Sequence, residues 1–171
     1  MLESNEYPFA LDCPEEKITL ITEDLINRVI DASRKSPRKR IILPFHKSPS
    51  DNLHRMLNAV QPMSYIRPHR HYSPPKAESV IVLKGAIVCI EFDNSGEISA
   101  SHKIAAGSFN IGIDFEPNIF HTFFATDKDT VIFEVKPGPY KQASDKDFAP
   151  WAPAEGTSEA EIYLKDLYRI A

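Results

Sequence analysis

Six histidines occur in this 171-residue chain, at positions 46, 54, 69, 71, 102 and 121. His69 and His71 stand two apart, and in an extended chain residues two apart project from the same face. That spacing predicts one strand face carrying both imidazoles, with Tyr65 and Arg67 on the same side. Ser73-Pro74-Pro75 supplies a turn that can bring Glu78 alongside them, and His121 opens a later β-rich run. Three imidazoles and one carboxylate form a nitrogen-and-oxygen donor set suited to one divalent ion: iron, manganese, nickel, cobalt or zinc. A six-coordinate ion held by four side chains keeps two positions for water, oxygen or a bidentate substrate, as a catalytic site requires.

Other residues are candidates for handling a bound molecule. Arg67 can clamp a carboxylate or phosphate at two points, or form a local ion pair. Tyr65 can pass a proton or simply pack. Glu134 and Lys136 share a strand face with Ile132 and read as a salt bridge at the rim or as part of a pocket lip. Tyr65 and Glu134 are the candidate catalytic groups, and Arg67, Lys136, Tyr140 and Trp151 the candidate substrate-binding ones. Tyr140, Lys146, Phe148 and Trp151 belong to a proline-punctuated stretch, 136–155, that is expected to pack across the mouth of the β region, where an aromatic could stack on a sugar ring. His46, His54 and His102 lack ligand-like spacing and read as solvent-facing or hydrogen-bonded.

Helical ends flanking a β middle would position these groups. Thr22 caps an amphipathic run predicted as a helix over 23–35, and Ser50 or Asp51 is expected to cap a shorter helix ending before Pro62. Short β-rich runs follow at 79–84, 86–92, 122–125 and 130–135, with Asp93-Asn94-Ser95-Gly96 as a hairpin turn. Strands at such spacing predict a sandwich or barrel. Ser158 and Glu161 form a capping box before the stripe Ala160, Tyr163, Leu164, Leu167 and Tyr168, which predicts a C-terminal helix. The division expected is an N-terminal segment 1–61, a barrel 62–136, and a covering segment with a helix, 137–171.

His69-Arg70-His71, Glu78 and Gly85 resemble the first motif of the cupins, and Pro117 with His121 resembles the second. Met63 stands where the first motif usually opens with glycine, the gap from His71 to Glu78 is wider than usual, and the second motif lacks its glycine. The phrases Tyr65-Ile66-Arg67-Pro68-His69-Arg70-His71, Phe133-Glu134-Val135-Lys136-Pro137-Gly138-Pro139-Tyr140 and Asp145-Lys146-Asp147-Phe148-Ala149-Pro150-Trp151-Ala152-Pro153 are similar to the WbuC-type cupin-fold metalloproteins. The resemblance implies a mainly β fold, a single cupin (double-stranded β-helix, jelly-roll) barrel with flanking N- and C-terminal helices. It also implies a metal held by His69, His71, Glu78 and His121, a homodimer, and a small sugar-like ligand or one bearing a carboxylate or phosphate, linked to surface polysaccharide (O-antigen) biosynthesis. Lewis-acid isomerase, epimerase or lyase chemistry, iron-dependent dioxygenation, and non-catalytic sugar binding or sensing all stay open.

Composition narrows the field further. Twenty Lys and Arg against 24 Asp and Glu leave a net charge of −4, so no basic excess recommends nucleic acid as a partner. With 42% hydrophobic residues the chain can bury a real core, and its two cysteines cannot supply a disulfide framework. The most apolar stretch, 79–92, is interrupted by Lys84 and Glu91 and falls short of the roughly 20 residues of a membrane helix. The acidic residues 1–6 lack the plan of a signal peptide, so a cytoplasmic location is expected.

Overall fold

The fold is known from a computed structural model that describes residues 7–141 and 145–170; the N-terminal hexapeptide used above to argue against a leader lies outside the described residues. Among the described residues no helix is long and apolar enough to cross a membrane. The elements run α1 (Glu23–Lys35), β1 (Arg40–Pro44), β2 (Leu53–Val60), β3 (His69–Arg70), β4 (Glu78–Lys84), β5 (Ala86–Phe92), β6 (Ile98–Ala105), β7 (Gly112–Phe115), β8 (Phe120–Ala125), β9 (Thr130–Pro137), β10 (Asp147–Phe148) and α2 (Ser158–Ile170). They build two five-stranded antiparallel sheets, ordered β1-β2-β9-β4-β7 and β10-β3-β8-β5-β6. The barrel thus draws two strands from before residue 62 and one from after residue 136.

Strand alternation sorts the side chains into layers. Val60, Val80, Val82 and Ile132 from the first sheet meet Ile87, Cys89, Ile104, Phe123 and Ala125 from the second, and fill the space between them. The intervening residues face outward. Ile41, Leu43, Leu57, Ala59 and Val131 are covered by Val29 and Ile30 of α1, while Val88, Ile90, Phe92 and Phe124 are covered by Leu164 and Leu167 of α2. Each helix therefore caps one sheet with its apolar stripe. Gly85 turns the chain from the first sheet to the second at φ 75°, where a Cβ would collide with Thr130.

Two local expectations are corrected. The short helix expected through Leu53, Met56 and Leu57 is instead strand β2, paired along its length with β1 and β9. The apolar spacing of Leu53, Met56, Leu57 and Val60 satisfies a helix, but the strand alternative buries residues on both faces: Leu57 and Ala59 under α1, Met56 and Val60 inside. Periodicity alone cannot separate a doubly buried strand from a helix. At α2 the cap is Thr157, whose Oγ1 accepts from the Ala160 N–H at 3.2 Å, one residue earlier than the expected Ser158. The helix at 23–35 starts where Thr22 predicts, with Thr22 Oγ1 accepting from the Leu25 N–H, and Asp93 Oδ1 accepts from the N–H groups of Ser95, Gly96 and Glu97 to close the β5–β6 turn.

Candidate metal centre

His69, His71, Glu78 and His121 come together at one end of the barrel interior, each nearly or fully buried, with one ligand atom from each lying within 4.8 Å of the others. The histidines belong to the second sheet: His69 lies directly opposite His121 in the β3–β8 ladder, and His71 follows β3. Glu78 opens β4 in the first sheet and crosses the interior to reach them, its Oε2 2.7 Å from His71 Nε2. Phe115, opposite Glu78 on β7, stacks on the His121 ring at 4.2 Å and holds its plane.

The hydrogen bonds on the far side of each ring prepare it as a ligand. His69 Nδ1 donates to the Arg67 carbonyl, His71 Nδ1 to that of Asp145 and His121 Nδ1 to that of Ile119. A carbonyl only accepts, so each Nδ1 carries a proton and Nε2 is the atom that each ring turns to the cluster. His121 Nε2 is buried with no hydrogen-bond partner among the described residues. His71 Nε2 and Glu78 Oε2 lie 2.7 Å apart, joined by a proton on Nε2 whose place a metal ion can take. Burial, followed by the Lys146 and His121 charges, drives His69 well below the ordinary imidazole value, and burial also lowers His121. Burial alone would raise Glu78, but the His71 hydrogen bond and the Lys136 charge hold it well below the usual carboxylate range. Neutral imidazoles and an ionised carboxylate are the forms that bind metal. The donor set fits one divalent ion.

Beside the cluster lies a buried network of charges. Glu134 and Lys136 are 6% and 7% exposed, so they sit inside the barrel rather than at its rim. They share the inward face of β9 with Ile132, at the polar end of the interior. Lys136 Nζ lies 3.3 Å from both Glu134 and Asp145, Lys76 Nζ reaches Asp145 at 2.9 Å and the Pro139 carbonyl at 2.8 Å, and Asn58 donates to Glu134. Burial and the Glu78 charge raise Glu134 despite Lys136. Burial alone would depress Lys136; Glu134, Glu78 and Asp145 outweigh it and raise the ammonium group.

The other expected site residues are distributed differently. Only His69–Arg70 form strand β3, and the shared face predicted for Tyr65 and Arg67 is not kept: Ile66 points into the interior cluster while Tyr65 joins the outer one. Pro68 cannot donate to a ladder, so the alternation does not run through it. Tyr65 donates its hydroxyl to the Pro153 carbonyl at 2.8 Å and meets Tyr163 edge-on. Trp151 packs on Phe92 and Phe120 in that same outer layer, anchoring the 136–155 stretch, rather than facing the metal cluster. Tyr140 is exposed, its N–H donating to the Pro49 carbonyl. Arg67 donates to the Ala149 carbonyl at 2.9 Å and lies over the Phe148 ring, which approaches His69 at 6.2 Å. His46 and His54 stack at 4.0 Å with His54 buried, and exposed His102 pairs with Glu91. Asn58, Lys76, Asp145 and Phe115 were not foreseen. Inward alternation along β2 is the signal that marks Asn58, and it was masked by the helix-like spacing there.

Comparisons place this geometry among known proteins. A family model described as "Domain of unknown function (DUF6016)" matches residues 21–104. No curated protein matches in sequence. Among solved structures, L-ribose isomerase of Cellulomonas parahominis with L-ribose is similar with a TM-score of 0.52 and 16% identity, over 68% of this chain and 72% of that one. The capsular polysaccharide assembling protein CapF of Staphylococcus aureus gives 0.51 and 17% identity over 63% and 28%. CapF with the inhibitor 3-isopropenyl-tropolone gives 0.50 and 20% over 63% and 31%, so this chain spans less than a third of the CapF chains it matches. The two facing sheets are those of the cupin fold that these solved structures share.

Proposed function

We propose that this chain is a metal-dependent cupin of the WbuC type that acts on a small, polar, sugar-related metabolite by Lewis-acid chemistry of the isomerase, epimerase or lyase class, in surface polysaccharide biosynthesis. The observation that carries the reading is the convergence of three histidine Nε2 atoms and the Glu78 carboxylate in the buried interior, with His121 Nε2 left without a partner among the described residues. Support for the sugar link comes from the WbuC-like phrases at 65–71, 133–140 and 145–153, and from a fold shared with a sugar isomerase and a polysaccharide-assembling protein.

A divalent ion held by His69, His71, Glu78 and His121 would polarise a bound carbonyl or hydroxyl oxygen. The protein's own residues do the rest. Backbone carbonyls fix the three rings, so no reorganisation is needed when a ligand arrives. Glu134, raised by burial and by the Glu78 charge, serves as the proton carrier, with Asn58 and Lys136 orienting it. Phe148 beside His69 keeps water from the mouth. The chain is further proposed to be cytoplasmic and to work as a homodimer.

Element-resolved metal analysis of untagged protein, beside His69→Ala and His121→Ala, tests the reading. Near-stoichiometric metal, lost in both folded variants, is the expected result. A redox-inert ion sustains Lewis-acid chemistry, whereas iron would turn the reading to dioxygenation. Failure to bind any divalent ion after add-back would leave only a sugar-binding module.

A further inference from the structure

The outer face of the first sheet is covered over only part of its width. Val29 and Ile30 of α1 seal Ile41, Leu43, Leu57, Ala59 and Val131, on β1, β2 and the start of β9. Val80 and Val82 of β4 face the interior, so its outward positions are Ser79, Ile81 and Leu83, and both apolar ones are exposed. Ile81 lines a shallow depression with Phe109 and Ile111, just before the edge strand β7, and Phe109 is fully exposed. On its other side Ile81 lies opposite Phe133 of β9, which lines a second depression with Phe45, Thr19 and Ile21. An apolar stripe therefore crosses the sheet from residues 18–21, the arm leading into α1, to β7.

The arm is patterned the wrong way round for a solvated surface. Its polar residue Thr19 is partly buried, whereas Ile18 and Leu20 on either side of it are 82% and 73% exposed. With roughly 200 Å² for a fully exposed side chain of this size, Ile18, Leu20, Ile21, Ile81, Phe109 and Ile111 together present on the order of 800 Å². The largest apolar patch on a typical monomer is roughly 300–600 Å², and one partner's share of a standard interface is about 800 Å². The stripe is thus too large for a free surface and the right size for one side of a dimer.

The two ends of the stripe differ in charge. Lys17, Lys47 and Arg55, with Glu16 the one acid among them, line the depression at the arm, and Asp114 is the charged residue that lines the one at β7. A two-fold axis across the stripe lays each end on the other, so that opposite charges meet at both rims. We propose that this stripe is the interface of a two-fold homodimer, in which Ile18, Leu20 and Ile21 of each copy cover Ile81, Phe109 and Ile111 of the other. Such an interface rests on the homodimer reading above and uses nothing at the metal centre.

Sedimentation equilibrium of the full chain across the micromolar range should show twice the chain mass. Phe109→Glu and Leu20→Glu change exposed positions that the fold of one copy does not use. Each should weaken the dimer at least about 30-fold and leave the circular dichroism spectrum unchanged. Ile162→Glu, at a similarly exposed apolar position on α2 away from the stripe, should leave the dimer intact. A wild-type chain that stays monomeric at every concentration overturns the interface and the homodimer reading together, and flotation of that monomer with phosphatidylglycerol vesicles would give the stripe to a membrane surface instead. A dimer that survives Phe109→Glu or Leu20→Glu, or that Ile162→Glu breaks equally, overturns this interface and leaves the homodimer reading standing.

Discussion

The two ends of the barrel interior are built from the same strands and obey the same alternation, yet they do opposite things. At one end Val60, Val82, Ile87, Ile104, Phe123 and Ile132 close a dry core that stabilises the fold through burial. At the other, inward positions carry Asn58, Glu78, Glu134, Lys136, His69 and His121, groups that are costly to desolvate and are held by pairing. Val80 and Glu134 face each other across the β4–β9 ladder, so the boundary between the two ends lies within one strand pair. The contrast teaches that the apolar end sets stability, while the polar end spends some of it on a preorganised site.

The largest expected effect breaks the polar end. His121→Ala should lower divalent-metal affinity by at least about 100-fold, a ligand loss being at least as severe as loss of an outer-shell partner, with near-unchanged unfolding of the metal-free protein. Titration with a competing chelator measures the first and urea denaturation the second. Phe123→Ala does the reverse: about 3–5 kcal/mol lost in urea, with metal stoichiometry kept in the folded fraction. Should Phe123→Ala instead abolish metal at full occupancy of the folded state, the two ends are not separable.

Breaking the ion network should cost about 3 kcal/mol in Lys136→Met, because Glu134 and Asp145 lose a shared cation, and Glu134→Gln added to it should recover part of that loss. An additive double mutant would contradict the coupling. The acid limb gives a smaller effect. Burial alone would raise Asp145, but Lys136 and Lys76 hold it below the ordinary carboxylate value. Its contribution is therefore present above the unfolded value of about 3.9 and lost as pH falls through the lower folded one. Asp145→Asn should flatten the fall in thermal midpoint below about pH 4. Smallest is Thr157→Ala, about 1 kcal/mol from the lost α2 cap, with no change at the metal centre.

Much of the metal centre was legible because its pieces are local. His69 and His71 are two apart, and an alternating chain puts both on one face. The cupin-like spacing also pointed to Glu78 and His121. Strands β4, β5, β8 and β9 were legible from β-branched runs and turns, and both helices from capping and amphipathic residues. Strand β2 was not, because Leu53, Met56, Leu57 and Val60 fit either period. Tyr65 was read onto the wrong face because alternation was carried across Pro68, where no ladder exists.

By itself the sequence determined the donor types, the alternation that makes strands, the caps of the helices and the glycine at position 85. Those properties follow from backbone dihedrals and side-chain period, which act over a few residues. Only the tertiary structure decided that Glu78 from one sheet meets three histidines from the other, that Lys136 points inward to Asp145 rather than out to water, and that Trp151 anchors the outer layer. These are contacts between distant segments, chosen by which pairing of two sheets buries the most apolar surface while leaving the fewest charges unanswered.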